Sequence, residues 1–368
     1  MVKVAIVKNI PAPYSLDLFN AMQNNAENIG LSVVYSAWSR KNRTWTIDET
    51  KISNSYSLNS FIIQKRSGEY IRYIHIPRGT WKTLNKIDPD VLLVYEYSIA
   101  SVFSFLWAKW NRRKFVHVTE GTLWSEKDIG KIQRILIKII IKYADLYIAC
   151  SSKAKEKLIV WGASADNIRT ILLTSDIRRY LRKDTNKIEK SIKKLLYVGS
   201  IEKRKGIDLV IHALKYTNEN VVLTLVGAGD EEYIKEITEL AKSERVLDKI
   251  KFAGFLEGDE LINEYHQSDA FVFPTRSDCY GLVLVEAYCS GLPIISSQYA
   301  DGVYDIVENG VNGLIVDPYD SKSFGDAIEK VLADTSYCIN ASKMKTDKFE
   351  IQFEAQEFLK VIFEAVGV

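Results

Sequence analysis

Two acidic residues eight positions apart, Asp278 and Glu286, stand where residue types and spacing point most directly to chemistry. Glu286 lies inside an apolar run, where a carboxylate is costly unless a partner occupies it. A helix is predicted to begin at Gly281 and to end before Gly291, and a proline two residues later bars its continuation. The free amides at its start attract a phosphate, and Glu286 follows about 6–7 Å further along the axis, well placed for an attached ribose. This spacing predicts a nucleotide diphosphate site.

The same segment resembles the acid-x7-acid signature of the retaining glycosyltransferases of family 4, which have the two-domain GT-B fold. The residues that match the motif are Gly281, Leu282, Val283, Leu284, Glu286, Ala287, Gly291, Leu292 and Pro293. Asp278 replaces the family's first glutamate and Tyr280 replaces a phenylalanine. The resemblance implies that Glu286 binds the donor ribose and that Asp278 contacts the transferred sugar. The expected donor-binding residues here are Asp278, Tyr280, Gly281, Leu282, Val283 and Glu286. The alternative is a capped amphipathic helix with an incidental glutamate.

A second motif lies upstream, where an apolar strand, a glycine turn, a basic cluster and a helix follow one another over 195–214. It resembles the family's G-R-L-x-x-x-K-G loop, in which an arginine and a lysine hold the donor diphosphate. The matching residues are Gly199, Lys205 and Gly206. Ser200 stands in the arginine's place, and Arg204 or Lys203 is left as its substitute. A departing diphosphate must be neutralised as its charge develops, so Lys205 is an expected catalytic residue. The alternative is a solvated basic turn.

The nucleotide base has a further pair of candidates. A predicted strand over 250–253 ends in an F-x-G turn that is followed by Phe255 and Leu256. In the family this turn borders the base, so the resemblance implies that these two residues flank it.

The first half of the chain resembles the family less closely. Its opening strand is followed by a proline-rich loop and a helix whose expected cap is Ser15, and Pro13 and Tyr14 are expected on the acceptor side. A later strand leads to Glu120 and Gly121, at a position where many relatives carry a histidine near the reacting sugar. Glu120 is therefore an expected catalytic residue, together with Asp278 and Lys205. His117 points to the opposite face by strand alternation and is interpreted as structural.

Alternating strands and helices predict parallel sheets with crossover helices throughout. The expected domains are an acceptor-binding Rossmann-like domain at 1–178, a nucleotide-sugar-binding one at 179–345, and a helix at 346–368 that returns to the first domain. By resemblance, the two domains face each other across a cleft. The four cysteines lack metal-ligand spacing and suggest a reducing compartment, and Asp88 and Asp90 are assigned no metal. Neither a signal peptide nor an apolar run of spanning length is recognised.

The net charge of +2 conceals a division between the halves. Residues 1–175 contain 25 basic and 14 acidic residues, a net +11, and the remainder contains 24 and 33, a net −9. Within the first half, 103–114 and 127–142 combine basic residues with aromatic and aliphatic ones, as helices at a bilayer interface do. The alternative is buried helices whose lysines reach solvent by their stems. The basic half favours contact with an anionic membrane.

Together these features predict a hexosyltransferase-type retaining glycosyltransferase in cell-surface polysaccharide synthesis. Its donor is expected to be a UDP or GDP sugar, and its acceptor a glycan or a lipid-linked intermediate. The enzyme is expected to require neither a metal nor a cofactor and to bind no nucleic acid. The expected location is cytoplasmic, on the inner face of the plasma membrane. Two alternatives stay open: a nucleotide-sugar 2-epimerase, and a non-catalytic partner subunit in which Ser200, Asp278 and Glu120 mark a decayed site.

Overall fold

The computed structural model describes residues 1–38, 54–67, 70–181, 191–218 and 220–368. The chain divides into two compact units. The first comprises Met1–Asp176 together with Lys348–Val368, and the second comprises Ile177–Asp347. The boundary predicted from the sequence, after residue 178, falls two residues beyond this division.

The first unit is built on a seven-stranded sheet in the order β3-β2-β1-β6-β7-β8-β9, with every neighbouring pair parallel. Its strands are β1 (Val2–Lys8), β2 (Ile29–Tyr35), β3 (Ser55–Ser57), β6 (Val91–Tyr95), β7 (Lys114–Thr119), β8 (Leu146–Ala149) and β9 (Ile168–Thr170). Its helices are α1 (Pro13–Asn24), α2 (Thr80–Ile87), α3 (Ile99–Trp110), α4 (Lys131–Tyr143), α5 (Ser152–Val160) and α13 (Ile351–Val366). The central strands β1 and β6 are apolar along most of their length because parallel strands are covered on both faces.

One pair of strands departs from the predicted all-parallel pattern. β4 (Asn59–Ser67) and β5 (Tyr70–Arg78) form a separate antiparallel ribbon. Only two residues separate them, too few for the crossover that parallel pairing requires. The alternation of strands and helices in the sequence does not predict this antiparallel ribbon.

The second unit contains a six-stranded parallel sheet in the order β12-β11-β10-β13-β14-β15. Its strands are β10 (Lys193–Val198), β11 (Val221–Val226), β12 (Ile250–Gly254), β13 (Ala270–Phe273), β14 (Ile294–Ser297) and β15 (Gly313–Val316). Its helices are α6 (Ile207–Leu214), α7 (Glu231–Ser243), α8 (Gly258–Gln267), α9 (Leu282–Cys289), α10 (Val303–Ile306), α11 (Ser321–Ala333) and α12 (Thr335–Lys343).

Each sheet has a point at which the strand order reverses. In the first unit it lies between β1 and β6, and in the second between β10 and β13. Ligands of open parallel sheets bind outside the carboxyl ends of the strands at such a point, because the connections leave it in opposite directions. Ligands are therefore expected at the segments that follow these four strands.

The last helix, α13, contacts α1, β6 and β7. The expected return of the chain to the first domain is thereby confirmed. The start of α1 corrects one prediction, because Ala12 rather than Ser15 is the N-cap and Pro13 is the first helical residue. Ser15 lies one turn later, where its hydroxyl oxygen accepts a hydrogen bond from the Ala12 amide at 3.2 Å.

Candidate active site

Two loops meet at the reversal point of the second sheet, one following β10 and the other following β13. The amide of Arg276 donates a hydrogen bond to the carbonyl of Arg204 at 2.8 Å. Gly206 allows this approach: its φ is +72°, and a Cβ there would lie 2.1 Å from the Pro274 carbonyl oxygen. Residues 72 positions apart are thus held side by side, and the basic loop lies against the acidic one.

An ion cluster joins these loops. Lys205 Nζ lies 2.5 Å from Asp278 Oδ2, and Arg204 Nη1 lies 3.4 Å from the same oxygen. The side chains of Lys205 and Asp278 are only 13% and 12% exposed, so the pair is largely shielded from solvent. Burial alone would raise the pKa of Asp278, but Lys205 and Arg204 outweigh it and hold the pKa below its ordinary value. Asp278 is therefore ionised at neutral pH.

Arg204 lies in the same loop as Ser200, and both side chains contact Glu202. The Ser200 hydroxyl donates to Glu202 Oε1 at 3.1 Å, and Arg204 Nη2 donates to that oxygen at 2.7 Å. Arg204 Nη1 also donates to the Ser277 carbonyl at 2.9 Å, which leads its guanidinium into the acidic loop. Of the two candidates that the sequence left open, Arg204 is the one that reaches Asp278.

An ion pair that the sequence did not predict, between Arg276 and Asp208, supports the cluster. Arg276 makes a two-pronged contact with Asp208, with Nη1–Oδ1 and Nη2–Oδ2 distances of 2.8 and 2.5 Å. Tyr233 donates to the same carboxylate at 3.0 Å, and Arg276 also donates to the Lys203 carbonyl at 2.6 Å. These contacts fix the acidic loop to the basic loop and to the start of α6. No signal in the sequence could have paired residues from three separate elements.

Glu286 lies on α9 among tyrosines. Tyr265, which is fully buried, donates to Glu286 Oε2 at 2.8 Å, and Tyr180 also hydrogen-bonds the carboxylate. Tyr265 stacks on Phe271 and meets Tyr180 edge to face, with ring centroids 5.8 and 5.4 Å apart. Burial raises the pKa of Glu286 to about 7, although both phenols act against the shift. Neither tyrosine was predicted from the sequence.

The start of α9 has the geometry that the motif predicts. Gly281 is the N-cap with φ +81°, and Leu282 and Val283 are partly exposed. Gly291 has φ +67° just beyond the end of the helix, which confirms the predicted stop. Tyr280 is a correction: its side chain is 2% exposed, so in this structure its ring is not available to a donor.

The remaining predicted donor residues lie on the same edge of the sheet. Gly199 directly follows β10, and its amide donates to the Val226 carbonyl at 3.0 Å. Phe255 and Leu256 follow β12, and Phe255 is 55% exposed. An exposed aromatic ring at this edge has the surface that a nucleobase would need.

In the first unit, Glu120 lies just past the end of β7 and near the end of β1. Its Oε1 accepts a hydrogen bond from the Tyr14 hydroxyl at 3.4 Å and lies 3.7 Å from Lys8 Nζ. Pro13 precedes Tyr14 on an exposed corner of α1. Three of the four predicted acceptor-side residues are therefore grouped, and the fourth, Gly121, follows Glu120 in the same turn.

The turn that carries Glu120 is tied down from two sides. Glu96 Oε1 accepts the Glu120 amide hydrogen at 2.5 Å, and Glu96 itself has a left-handed φ of +56°. The fully buried Lys157 donates to Thr119 Oγ1 at 2.9 Å and contacts Glu126 at 3.1 Å. Burial raises the pKa of Glu96 to about 7, partly opposed by Lys157. A non-glycine residue in this backbone region costs about 1–3 kcal/mol, which such contacts must offset.

Two other sequence candidates lie away from this group. His117 is fully buried against the Tyr97 ring, with centroids 4.3 Å apart, and burial lowers its pKa to about 3. Asp88 and Asp90 both pair with Arg113, at 2.6 and 3.0 Å. Among the residues that the structure describes, no group of three His, Cys, Asp or Glu side chains could hold a metal ion.

A cavity of about 580 Å³ also lies in the second unit, between the start of β10 and the helices α9, α11 and α12. Its lining includes Lys193, Asp269, Cys289 and Cys338, and none of the donor-site residues. It opens at the amino ends of the strands, whereas ligands of parallel sheets bind at the carboxyl ends. This cavity is therefore distinct from the predicted nucleotide site.

Comparison with known proteins agrees with this geometry. Residues 178–347 match the family model of the glycosyl transferases group 1. The chain is similar to a glycogen synthase of Mycobacterium tuberculosis, with 27% identity over 66% of this chain and 59% of the relative. A capsular polysaccharide biosynthesis glycosyltransferase of Staphylococcus aureus, CapM, is 28% identical over 60% of this chain and 61% of its own length. The chain thus spans about three fifths of the length of these curated relatives.

Solved structures match over nearly the whole chain. HepE of Anabaena in complex with UDP superposes with a TM-score of 0.81 at 19% identity, covering 99% of this chain and 100% of the other. The same protein has been solved with UDP and glucose and with UDP-glucose. Across the described residues, no helix is long and apolar enough to cross a membrane. The matches support a group 1 glycosyltransferase, and the chain has the GT-B fold.

Proposed function

We propose that the protein is a retaining hexosyltransferase of family 4 that uses a nucleotide-diphosphate sugar. The observation that carries this proposal is the Lys205–Asp278–Arg204 cluster, which lies at a sheet reversal point beside the start of α9. Two cations and helix-terminal amides in one place are what a leaving diphosphate requires. The UDP and UDP-glucose bound by HepE support a UDP-type donor, and a GDP-type donor remains the other choice.

The proposed reaction divides the roles among these residues. The acceptor hydroxyl forms a bond to the anomeric carbon on the face from which the bond to the diphosphate breaks, and a diphosphate oxygen takes the hydroxyl proton. Lys205 and Arg204 neutralise the departing charge, and Asp278 orients both cations and the transferred sugar. Glu286 accepts hydrogen bonds from the ribose hydroxyls. Glu120 belongs to the acceptor side, and the proposed acceptor is a glycan or lipid-linked intermediate of a cell-surface polysaccharide, as the name of CapM suggests.

The proposal needs neither a metal nor a cofactor, because the two cations supply the charge. Hydrolysis and transfer should therefore proceed at the same rate with and without EDTA. A rate that EDTA abolishes and magnesium restores would show that Lys205 and Arg204 are insufficient.

A donor screen tests the function directly. The protein is incubated with UDP, GDP, ADP and dTDP sugars, and free nucleotide is measured, with calorimetric titration of each nucleoside diphosphate alongside. We expect tight binding of one nucleotide and slow hydrolysis of its sugar. Conversion of the donor to an isomeric nucleotide sugar would indicate a 2-epimerase instead. Binding of no nucleotide would indicate a non-catalytic partner subunit with a decayed site.

We further propose that α4 attaches the protein to an anionic membrane on the cytoplasmic side. The helix has two apolar faces. Ile137, Ile140 and Ile141 are buried, whereas Ile132, Ile135, Leu136, Ile139 and Tyr143 are 39–78% exposed. Lys131, Arg134, Lys138 and Lys142 are interleaved with them, and none pairs with a carboxylate among the described residues. Apolar side chains flanked by unpaired cations suit a surface of anionic headgroups over acyl chains.

The other predicted segment, 103–114, is less suited to this role. Lys109 and Lys114 lie 2.9 and 3.9 Å from carboxylate oxygens of Asp145, and Arg113 pairs with two aspartates. Most of its charge is thus already neutralised. Trp110 is 80% exposed, so this segment could contribute an aromatic anchor rather than charge.

Vesicle flotation at low and high salt tests the attachment. The variant Lys131→Gln/Lys138→Gln should bind phosphatidylglycerol vesicles roughly 30-fold more weakly, at about 1 kcal/mol for each cation. Lys109→Gln/Lys114→Gln removes the same net charge from the paired segment and should bind as the wild type does. If both variants lose vesicle binding equally, the effect comes from the overall charge of the protein rather than from α4. If the wild type binds phosphatidylcholine vesicles as well as phosphatidylglycerol vesicles, the attachment is not electrostatic.

A further inference from the structure

Lys8, at the end of β1, is a buried cation that the proposed chemistry does not use. Its side chain is 11% exposed, and its ammonium donates no hydrogen bond to any described protein atom. The nearest carboxylate oxygen, Glu120 Oε1, is 3.7 Å away, too far for a hydrogen bond. The rings of Tyr95 and Tyr14, with centroids 4.2 and 5.0 Å from Nζ, attract the charge but accept no directed hydrogen bond. A buried ammonium left in this state costs stability.

Two more polar groups around Lys8 lack partners within the described chain. They are the hydroxyl of Tyr95 and Oε2 of Glu354, which lies on α13 and is 2% exposed. Lys8, Glu120 and Glu354 act on one another electrostatically, although they come from β1, the turn after β7 and α13. Burial raises the pKa of Glu354 well above its usual range, and the nearby Lys8 acts against this shift. Three buried polar atoms, Lys8 Nζ, the Tyr95 hydroxyl oxygen and Glu354 Oε2, thus lack a hydrogen-bond partner among the described residues.

The position of this group is that of a ligand site. Lys8 and Tyr95 end β1 and β6, the two strands between which the order of the first sheet reverses. The turn bearing Glu120 is braced by Glu96 and Lys157, which hold its backbone in place. At 3.7 Å from Glu120, the Lys8 ammonium keeps its hydrogen-bond donors unused and can offer them to a third group.

We infer that Lys8 and Glu120 form a subsite for one uncharged saccharide unit of the acceptor. The ammonium donates to one ring hydroxyl, the carboxylate accepts from its neighbour, and the Tyr14 ring offers a face for the sugar's C–H groups. This inference rests on the proposed function, since it names the class of acceptor that the first unit takes. A phosphate suits the subsite poorly, because it would place further negative charge beside Glu120 with one lysine to balance both.

Saturation-transfer NMR on the full chain tests this with defined probes. The neutral probes are methyl α-glucopyranoside, methyl α-galactopyranoside and methyl β-N-acetylglucosaminide, and the charged ones are glucose 6-phosphate and inorganic phosphate. In the wild type we expect a neutral glycoside to bind better than either charged probe. Lys8→Met should weaken that binding at least tenfold, and Glu120→Gln should weaken it as well. Lys3→Met, which alters an exposed lysine of the same strand, should bind as the wild type does.

Thermal unfolding distinguishes a binding role from a structural one. Methionine keeps the apolar stem of Lys8 and removes the buried charge, so the variant should melt at the same temperature as the wild type or higher. A lower melting temperature together with unchanged glycoside binding would make Lys8 structural and overturn the inference. Binding of phosphate in preference to every neutral glycoside, or binding of no glycoside, would overturn it too. Titration with UDP and GDP separates this from the proposed function, because only the latter fails if the wild type binds neither nucleotide.

Discussion

Replacing Glu286 by glutamine should make the second unit more stable and its donor binding weaker at the same time. The buried carboxylate has a pKa of about 7, against an ordinary value of 4.5. Its stabilising contribution is fully present below pH 4.5 and is lost as the pH rises through 7, because the folded state then binds more protons than the unfolded one. At about 1.36 kcal/mol per unit, the wild type loses roughly 3 kcal/mol across this window. Glutamine can still accept from Tyr265 but does not ionise.

Thermal unfolding at pH 5 and pH 8.5 measures this difference. For a unit of this size 1 kcal/mol corresponds to roughly 2–4 °C, so Glu286→Gln should melt up to about 10 °C above the wild type at pH 8.5. The advantage should shrink at pH 5. An offset that does not depend on pH would refute the assignment of a buried, half-protonated carboxyl.

Proton release on donor binding tests the ribose role of the same residue. Ribose hydroxyls donate best to the ionised carboxylate, so donor binding should expel a fraction of a proton at pH 7. Calorimetric titration with UDP-glucose in buffers of different ionisation enthalpy detects this, since its diphosphate has no group that titrates near neutrality. Glu286→Gln should bind more weakly and release no proton. Equal affinity in a folded variant would remove Glu286 from the ribose site.

Three further perturbations address the ion cluster and its loops. Lys205→Ala should lower turnover at saturating donor by roughly 10²-fold or more, and a larger loss for Arg204→Ala would show that the cations have exchanged roles. Gly206→Ala should destabilise the second unit by more than about 2 kcal/mol because of its close approach to Pro274. Gly254→Ala, with φ +75° and open space around it, should cost about 1 kcal/mol. Equal melting temperatures of the two variants would contradict the loop contact. Asp278→Asn should be less stable than the wild type at pH 7. The difference should shrink as the pH falls below 3.8, because the wild-type carboxylate is then progressively protonated and its lowered pKa no longer stabilises the folded state. Melting curves at pH 7 and pH 3 check this.

Much of the geometry of the proposed donor site could be predicted from the sequence because its residues are close in the chain. Gly281, Glu286 and Gly291 mark the beginning, middle and end of one helix, so their spacing carries their geometry. Tyr180 and Tyr265 could not be found this way, since they reach Glu286 from 106 and 21 residues away. The burial of the Tyr280 ring could not be predicted either, because it depends on packing against residues that are distant in the sequence.

In the first unit, local patterns indicated the strands but not their partners. The motif at β7 led to Glu120, whereas the left-handed Glu96 behind it has no signature in the sequence. Glu354 on α13, which Lys8 affects electrostatically, likewise lies more than 340 residues away in the chain. The ribbon of β4 and β5 was missed because alternating helices and strands elsewhere made an all-parallel reading the simplest.

The return of α13 to the first unit also sets an order of events during synthesis. Ala355, Phe358 and Ile362 are fully buried there, so the first unit lacks part of its core until α13 is made. The second unit is continuous in the chain and can fold as soon as it emerges. At about 5–20 residues per second, the first unit waits roughly 10–40 s with an apolar face of its sheet uncovered. A nascent chain in that interval is a natural client for a chaperone, and a permuted chain that begins with α13 would close the interval.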